Sequence, residues 1–303
     1  MTIKTDFQQK ISALLPNIEL RLEEPMAKHT SFRIGGPVEV MAFPKTPKEL
    51  GEILKVSAFL DCKPAILGAG TNILAPDEGI KGLVICLKDC GESMVQVDDN
   101  HIRVSAGVSM ARCATFAANL GLSGLEFAHG IPGSVGGGVY MNAGAYGGEI
   151  CQVCTQVEVL DLDGNRRVLT GEEMNFSYRH SRLEDEGGIV LSATFALTPK
   201  PAEEIRAVMQ DLMSRRRSTQ PLDLPSAGSA FKRPVGGYAA ALIDQAGLKG
   251  YRVGGAAVSE KHAGFVVNLG GATARDVKAL LEAVSDKVFD KTGIRLEPEV
   301  RIW

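Results

Sequence analysis

The sequence predicts a mixed α+β protein of two lobes followed by a separate C-terminal part. Short apolar runs alternate with turn signals in the first hundred residues, whereas residues 101–197 are richer in strand patterns. Pro199 and Pro201 then interrupt the chain ahead of an amphipathic helix. We therefore place a boundary at residue 200, so that residues 1–200 form two lobes, about 1–88 and 89–200, and residues 201–303 form the third part.

The elements of the first lobe follow a strand–helix–strand order. Strands are predicted at residues 38–43, 64–67 and 83–87, and a helix is predicted at residues 47–60. The helix prediction rests on the spacing of four residues that share one face: Leu50, Ile53, Leu54 and Ser57.

The second lobe and the C-terminal part are predicted in the same way. Strands are expected at 101–105, 153–162 and 188–197, with a turn at Asp163-Gly164, and a helix at 109–120. A helix at 203–217 has an apolar face of Ile205, Val208, Met209 and Leu212.

The last predicted helix, 274–291, begins near Thr273 and Asp276 and ends at Gly293. A closing strand is expected within 295–303. The helix has residues at helical spacing along its apolar face, namely Val277, Leu280, Leu281, Val284 and Val288.

Composition excludes several classes of protein. The 303 residues include 33 Lys+Arg and 36 Asp+Glu, a net charge of −3, which gives no whole-protein indication of nucleic acid or anionic membrane as a partner. The sequence shows neither a signal peptide nor a membrane span, so we expect a cytoplasmic protein.

Cys151 and Cys154 form a C-x-x-C that could be a redox pair. We expect six reduced thiols and no metal site, because no second pair stands at zinc-ligand spacing.

Two glycine-rich segments indicate a site for a phosphate or diphosphate. They are GIPGSVGGGVYMNAGAYGGE, residues 130–149, and LGAGTNIL, residues 67–74. The first, the glycine-rich run, is expected to be a loop that surrounds the anion. Glycines let a ligand approach the backbone, and successive N–H groups can point at an anion. Neither segment matches the P-loop or the G-x-G-x-x-G pattern, and tight turns or packing glycines are the alternative interpretation. Asn72 and Asn142 offer additional polar contacts, which favours a bound cofactor.

Seven motifs in order resemble the UDP-N-acetylenolpyruvoylglucosamine reductase (MurB) family. Besides the two glycine-rich segments, they are HTSFRIGG (29–36), FSYRHS (176–181), AGSAFKRP (227–234), VSEKHAGFVVN (258–268) and LEPEVRIW (296–303). The resemblance extends from about residue 26 to the end of the chain.

This resemblance implies a fold and a reaction. Residues 1–200 would form a two-lobed FAD-binding domain of the vanillyl-alcohol oxidase (PCMH) type. Residues 201–303 would form an α+β substrate-binding domain whose last strand returns to the flavin domain. NADPH would reduce non-covalently bound FAD. The reduced flavin would then convert the enolpyruvyl ether of UDP-N-acetylglucosamine enolpyruvate into UDP-N-acetylmuramate, for peptidoglycan synthesis.

Three residues match the catalytic residues of the resembled family. Arg179 would hold the substrate carboxylate, which suits a permanently charged, bidentate guanidinium. Ser229 would donate a proton, with Lys232 as a helper, and Glu299 would polarise the substrate or handle the proton. The alternative for Arg179 is a surface salt bridge, and that for Ser229 is a capping or turn serine. Glu299 could instead be a strand-face carboxylate paired with Arg301. Glu297 lies two residues from Glu299 and is not chosen, because Glu299 directly precedes Val300-Arg301 as in the family motif.

The resemblance also implies binding residues. FAD contacts are expected at Thr30, Arg33, Ile34, Gly35, Gly68, Ala69, Gly70, Thr71, Asn72, Pro132, Gly133, Ser134, Gly136, Gly137 and Asn142, with Gly107 and residues 189–190 as weaker candidates for the adenine. The UDP-sugar or nicotinamide pocket is expected to include Arg217, Lys232, Tyr251 and His262, with Tyr238 nearby. His129 either faces the flavin ring or is a packed, hydrogen-bonded histidine. Residues 215–217 either bind the UDP diphosphate or complement a helix dipole.

Three features depart from the family pattern. Gly138 stands where alanine is more common, and Arg233 replaces a common asparagine. Only a short acidic loop, 183–188, lies where a longer subclass has an inserted tyrosine segment, so this chain resembles the shorter subclass. Two other functions stay open: a carbohydrate oxidase of the wider flavin group, and a non-enzymatic flavoprotein that senses UDP-sugars. The oligomeric state is not indicated.

Overall fold

The structure is a computed structural model that describes residues 5–303. It has mixed helices and strands, so the predicted α+β class is confirmed. No helix of residues 5–303 combines the length and apolarity that a membrane span requires. The α-helices of this part of the chain are α1 (Asp6–Leu14), α2 (Pro47–Phe59), α3 (Met110–Asn119), α4 (Val135–Tyr140), α5 (Arg182–Glu186), α6 (Ala202–Thr219), α7 (Ala239–Gln245) and α8 (Ala274–Thr292).

Many of the strands are only two to four residues long. Within residues 5–303 they are β1 (Glu19–Pro25), β2 (Pro37–Phe43), β3 (Ala65–Leu67), β4 (Ile73–Leu74), β5 (Ile80–Cys86), β6 (Met94–Gln96), β7 (His101–Ser105), β8 (Leu122–Ser123), β9 (Gly144–Ala145), β10 (Gly148–Glu149), β11 (Cys154–Leu160), β12 (Arg166–Thr170), β13 (Ile189–Ala196), β14 (Thr198–Pro199), β15 (Ser226–Ser229), β16 (Arg252–Val253), β17 (Ala256–Val258), β18 (Phe265–Asn268) and β19 (Arg301–Ile302).

The chain forms two compact units that do not follow its order. The first contains the chain up to Leu22, Val40–Ala69 and Gly82–Arg215, and the second contains Glu23–Glu39, Gly70–Lys81 and Arg216–Trp303. These units describe packing and not ligand binding. The predicted division at residue 200 into an FAD-binding and a substrate-binding domain therefore stays a prediction.

The first unit contains the strand–helix–strand pattern predicted for the N-terminal lobe. A four-stranded sheet has the order β1-β2-β5-β3, and β3 pairs with β5 in parallel. The four residues predicted to share one face of α2 are all buried. Thr46 caps this helix by accepting a hydrogen bond from the N–H of Glu49, and Pro47 follows as its first residue.

A five-stranded antiparallel sheet, with the order β12-β11-β13-β7-β6, makes up the strand-rich part of the first unit. The predicted turn at Asp163-Gly164 joins β11 to β12, and Gly164 adopts φ +86° there. The sequence did not indicate β12. Four of its five residues are exposed, so this edge strand lacks the apolar alternation that identifies a half-buried strand.

In the second unit an antiparallel sheet, β15-β18-β17-β16, shares a buried core with α7 and α8. Helix α8 is the element that the sequence predicted best. Thr273 and Asp276 form its capping box, and Gly293 ends it in the left-handed conformation. All five residues predicted for its apolar face are buried.

Three predictions of elements need correction. In α6, Ile205 and Met209 are buried but Val208 is 41% exposed, so the buried stripe is narrower than predicted. The closing strand is confined to Arg301–Ile302, which pairs in parallel with β4. The glycine-rich run is not wholly a loop, because Val135–Tyr140 is helical.

Candidate active site

Helix α4, within the glycine-rich run, is tied to the loop before α3. The N–H of Val135 donates to the carbonyl of Val108 (2.8 Å), and that of Gly136 donates to the carbonyl of Ala106 (2.9 Å). The side chain of Ser134 caps the helix by accepting from the N–H of Gly137. The first N–H groups of the helix therefore have protein partners, and an anion would have to bind just before them.

Four backbone N–H groups next to this helix remain as anion donors. Those of Gly133 and Ser134 donate to no acceptor within residues 5–303, and neither do those of Gly68 and Ala69 in the other glycine-rich segment. The Ser134 hydroxyl, which accepts from Gly137, keeps its own O–H as a further donor. A Cβ added to Gly68 would lie 3.2 Å from the Oγ of Ser134, so glycine keeps the space between the two segments open. These donors suit a diphosphate.

Two other predicted cofactor residues of this unit serve its packing. A Cβ on Gly136 would lie 2.8 Å from that of Ala106, so this glycine allows α4 to approach closely. Asn142 is 1% exposed. Its Nδ2 donates to Glu149 and to the carbonyl of Ser177, and its Oδ1 accepts from the N–H of Cys151.

The weaker adenine candidates are enclosed by protein. A Cβ on Gly107 would meet the carbonyl oxygens of Cys90 and Gly91 at 2.9 Å. Ile189 and Val190 have buried side chains in the core of the first unit. Pro132, Gly133 and Gly137 lie in the segment that holds the anion donors, and their contact with FAD stays a prediction.

Arg179 lies in a tight turn anchored on both sides. Ser177 and His180 pair across the turn, and Arg179 has φ +56°, which is unfavourable for a residue with a side chain. Nη2 of Arg179 donates to the carbonyl of Gly144 (3.0 Å). Ser181, which is fully buried, donates its hydroxyl to the carbonyl of Tyr140 at the end of α4 (2.7 Å). The glycine-rich helix therefore positions the Arg179 turn.

His129 does not match the interpretation as a packed, hydrogen-bonded histidine, and the interpretation in which it faces the flavin ring stays a prediction. Its Nδ1 is buried and has no hydrogen-bond partner within residues 5–303. The ring is therefore not a fully hydrogen-bonded packed histidine.

In the second unit, residues 29–36 form a compact turn. The hydroxyl of Thr30 donates to the carbonyl of Ile34 (3.0 Å) and accepts from its N–H (3.3 Å). Ile34 is buried, whereas Arg33 is exposed with φ +56°. Gly35 has φ +128°, and a Cβ there would lie 2.6 Å from that of Ala75. The turn therefore requires glycine at this position and offers the Arg33 side chain to solvent or a ligand.

Residues 70–74 connect this turn to the C-terminal strand. Gly70 has φ +65°, accepts from the N–H of Ser31, and has no room for a Cβ beside the carbonyl of His29. Asn72 donates from Nδ2 to the carbonyl of Glu299, and its own carbonyl accepts from the N–H of Arg301. Thr71 lies between Gly70 and Asn72.

A short ladder brings Ser229 and Glu299 together. The N–H of Glu299 donates to the carbonyl of Ala230 (2.9 Å), and the N–H of Lys232 donates to the carbonyl of Glu297 (2.8 Å). Between these bonds Phe231 pairs with Pro298. Ser229, at the end of β15, is exposed, and its hydroxyl makes no hydrogen bond to another residue of the described chain. Ser229 directly precedes one side of this ladder and Glu299 ends the other, so the two residues stand on adjacent segments.

The predicted helper of Ser229 has another partner. Nζ of Lys232 forms an ion pair with Oε1 of Glu297, the carboxylate not chosen as catalytic. Arg233, the departure from the family pattern, stacks its guanidinium 4.0 Å above the ring of Tyr238.

The remaining substrate candidates lie in the second unit with different surroundings. Burial lowers the pKa of His262, whose Nδ1 accepts from the N–H of Gly264 (3.1 Å). The Tyr251 ring lies 5.3 Å from Nζ of Lys287. Arg217 is exposed, and its carbonyl accepts from Nζ of Lys261. Their contact with substrate stays a prediction.

The cysteines are free thiols throughout the described chain. Burial raises the pKa of both Cys113 and Cys154 to about 12, and it also raises that of Cys151, although Cys151 is exposed. Such thiols carry little thiolate at neutral pH, which disfavours a redox role for the C-x-x-C. No group of His, Cys, Asp and Glu in the described part of the chain could hold a metal ion.

Comparison with known proteins adds the decisive observation. The model of an FAD binding domain matches residues 38–170, and that of the UDP-N-acetylenolpyruvoylglucosamine reductase C-terminal domain matches residues 220–303. A UDP-N-acetylenolpyruvoylglucosamine reductase of Agathobacter rectalis is 47% identical over 98% of both chains. The chain belongs to the MurB family. Another member, from Caldanaerobacter subterraneus, is 46% identical over 97% of this chain and 96% of its own. The MurB crystal structure from Thermus caldophilus, 38% identical, superposes with a TM-score of 0.79 over 95% of this chain and 99% of its own.

Membership of the MurB family makes this chain an oxidoreductase that uses FAD. The residues present fit that cofactor. The four unengaged N–H groups and the Ser134 hydroxyl would hold its diphosphate, and Gly68 leaves the space for it. Sequence reasoning missed two buried hydrogen bonds to backbone carbonyls, that of Ser181 to Tyr140 and that of Asn268 to Phe32. Each donor residue stands within a quoted motif, but its bond depends on a backbone partner that sequence spacing does not reveal.

Proposed function

We propose that this chain catalyses the NADPH-dependent reduction of UDP-N-acetylglucosamine enolpyruvate to UDP-N-acetylmuramate, in peptidoglycan synthesis in the cytoplasm. The observation that carries the proposal is the ladder of residues 230–232 and 297–299, which keeps Ser229 and Glu299 adjacent. The names and high identity of the relatives support the same reaction. The partners of the chain would be two small molecules, the UDP-sugar and NADPH.

Arg179 would bind the carboxylate of the enolpyruvyl group. Its guanidinium is permanently charged and matches a carboxylate with two parallel donors. During reduction, negative charge moves toward that carboxylate, so a fixed guanidinium stabilises the transition state more than the ground state. The anchors of the turn, Ser181 and Asn142, support this role because they limit the reorganisation that binding would require.

Ser229 would give a proton to the carbon next to the reduced one, and Glu299 would polarise the substrate beside it. FAD, once bound and reduced by NADPH, would supply the hydride. A serine hydroxyl is a weak acid, so it needs a site where its conjugate base is stabilised at the moment of transfer. Lys232 is paired with Glu297 and is available to Ser229 only if that exposed ion pair opens, which costs little. The exposed hydroxyl of Ser229 is free to approach a substrate.

Two alternatives make different predictions in one experiment. The purified yellow protein is reduced anaerobically with NADPH, and UDP-N-acetylglucosamine enolpyruvate is then added. The proposed reductase reoxidises its flavin and forms a product with two more hydrogens. Oxygen-dependent oxidation of a sugar without NADPH would instead identify a carbohydrate oxidase. Bound flavin without turnover of either kind would identify a flavoprotein sensor.

A further inference from the structure

The turn formed by residues 29–36 is held by the C-terminal part of the second unit. The hydroxyl of Ser31 donates to the carbonyl of Ser226 (2.6 Å), and Nδ2 of Asn268 donates to the carbonyl of Phe32 (3.0 Å). Both bonds join positions about 200 residues apart (195 and 236). The matched FAD-binding region begins at residue 38, and the C-terminal region begins at residue 220, so neither contains this turn.

Asn268 is the anchor whose side chain makes the larger number of hydrogen bonds. It ends β18 and is 7% exposed. Its Oδ1 accepts from the N–H groups of Gly270 (2.9 Å) and Ala272 (3.2 Å), which determines the orientation of the amide and directs Nδ2 at Phe32. A buried polar side chain with three hydrogen bonds specifies one arrangement of its neighbours, because each broken bond leaves a desolvated partner.

The turn needs such an anchor because its backbone is unfavourable. Arg33 and Gly35 both have positive φ, +56° and +128°. A non-glycine residue such as Arg33 is unfavourable in this region and persists when surrounding contacts enforce its conformation. Phe32, whose carbonyl is the anchored one and which directly precedes Arg33, is 1% exposed in the core of this unit. The Asn268 bond therefore acts directly at the strained part of the turn.

We propose that Asn268 is a positioning residue for FAD, which enforces the conformation of residues 30–35 in which the turn contacts the flavin. This inference rests on the proposed function and on the flavin contacts that the family resemblance implies for Thr30, Arg33, Ile34 and Gly35. It places a determinant of flavin affinity at the end of β18, in the part of the sequence expected to bind substrate.

The test is the variant Asn268→Asp in the full chain purified with FAD. The carboxylate keeps the shape of the side chain and both acceptor bonds, but it loses the donor to Phe32 and places a charged oxygen against that carbonyl. FAD release is followed by the recovery of flavin fluorescence. We expect the Kd for FAD at pH 8 to rise about tenfold or more, as for a lost hydrogen bond that leaves a buried acceptor unsatisfied. Recovery at lower pH is expected, since a protonated carboxyl can donate to Phe32.

A matched control distinguishes positioning from general destabilisation. Lys291→Met removes the bond from Nζ to the carbonyl of Ala246 (2.7 Å), which is in the same unit but does not involve residues 29–36. It should leave the Kd for FAD within twofold of wild type. Hydrogen exchange of the FAD-free protein supplies a readout independent of flavin: Asn268→Asp should speed exchange in residues 31–36 and not in β17.

The outcomes separate this inference from the function on which it rests. If Asn268→Asp binds FAD as tightly as wild type, or if Lys291→Met weakens binding equally, the inference is wrong and the reductase proposal stands. If the wild-type chain binds no FAD, the function itself fails. Should Asn268→Asp not fold, Ser31→Ala weakens the same turn, and an unchanged Kd for FAD would overturn the inference.

Discussion

The side-chain amide of Asn72 donates a 3.2 Å hydrogen bond to the backbone carbonyl of Glu299, 227 residues further along the chain. The bond joins the end of the LGAGTNIL segment to the segment that carries the proposed catalytic carboxylate. Because the carbonyl of Asn72 also accepts from the N–H of Arg301, one residue fixes the backbone on both sides of Val300.

We expect Asn72→Ala to lower kcat more than it lowers stability. Loss of one neutral hydrogen bond costs about 1 kcal/mol of unfolding free energy, whereas a small displacement of Glu299 affects the transition state directly. Steady-state kinetics and urea unfolding measure the two effects. Asn165→Ala, which removes an exposed amide bond to Asp161, is the control. An unchanged kcat in Asn72→Ala would contradict the positioning role.

Arg179→Lys should reduce kcat/KM for the UDP-sugar by roughly 30- to 1000-fold, about 2–4 kcal/mol, because a lysine provides no planar pair of donors. The rate at which NADPH reduces the flavin should not change. Stopped-flow measurement of the two half-reactions tests this separation. Arg166→Lys, which alters an exposed ion pair with Glu158, should behave as wild type. Equal slowing of both half-reactions would indicate that Arg179 does not act on the substrate.

Ser229→Ala should still be bleached by NADPH but should be reoxidised by substrate at least a hundredfold more slowly, as when a general acid is removed. Ser229 is exposed and its hydroxyl makes no hydrogen bond to another residue within 5–303, so the variant should unfold at the same urea concentration as wild type. A wild-type rate of reoxidation would exclude Ser229 as the proton donor.

Gly138, which stands where alanine is more common in the family, packs against Met110. A Cβ on Gly138 would lie 2.8 Å from Sδ of Met110, which is 1% exposed. Alanine is favoured over glycine in a helix by about 1 kcal/mol, yet we expect Gly138→Ala to be destabilising by about that amount, because the methyl group overpacks the sulfur. The double variant Gly138→Ala/Met110→Ala should lose about 1 kcal/mol less unfolding free energy than the sum of the losses in the two single variants. Additive values from urea unfolding would contradict a direct clash.

His262 should make the stability depend on pH. Burial lowers its pKa from the ordinary value of 6.5, so the unfolded chain binds a proton at a pH where the folded chain does not. Well above pH 6.5 His262 is neutral in both the folded and the unfolded chain and does not affect stability. As pH falls from 6.5 to the lowered pKa of the folded chain, the unfolding free energy decreases. His262→Gln should show a smaller loss of unfolding free energy between pH 8 and pH 5.5. Parallel pH profiles for both proteins would contradict this assignment.

The sequence predicted those elements whose pattern is local. Helix α8 has a capping box, an apolar stripe and a terminal glycine, and all three are present. The glycine-rich run was harder, because its helix depends on the bonds of Val135 and Gly136 to residues near position 107 rather than on its own propensity. Glycine disfavours a helix when tertiary contacts are ignored.

The candidate site shows the same division. The motifs identified the segments that carry Arg179, Ser229 and Glu299, because residue types and their neighbours are visible in a sequence. The partner of Lys232 was not predictable, since the pairing with Glu297 depends on a ladder between segments 65 residues apart. The hydrogen bonds of Asn142 were not predictable for the same reason: its amide is directed at Glu149, Ser177 and Cys151, and its contact with FAD stays a prediction.

The anchoring of residues 29–36 by Asn268 and Ser226 has a consequence for recombination between relatives. A chimera that joins residues 1–200 of one parent to residues 201–303 of another takes the turn and its anchors from different ancestors. Such hybrids should lose flavin more often than hybrids that inherit residues 23–39 and 216–303 together. These two stretches would then have to come from the same parent for a hybrid to keep its flavin, although most of the chain separates them.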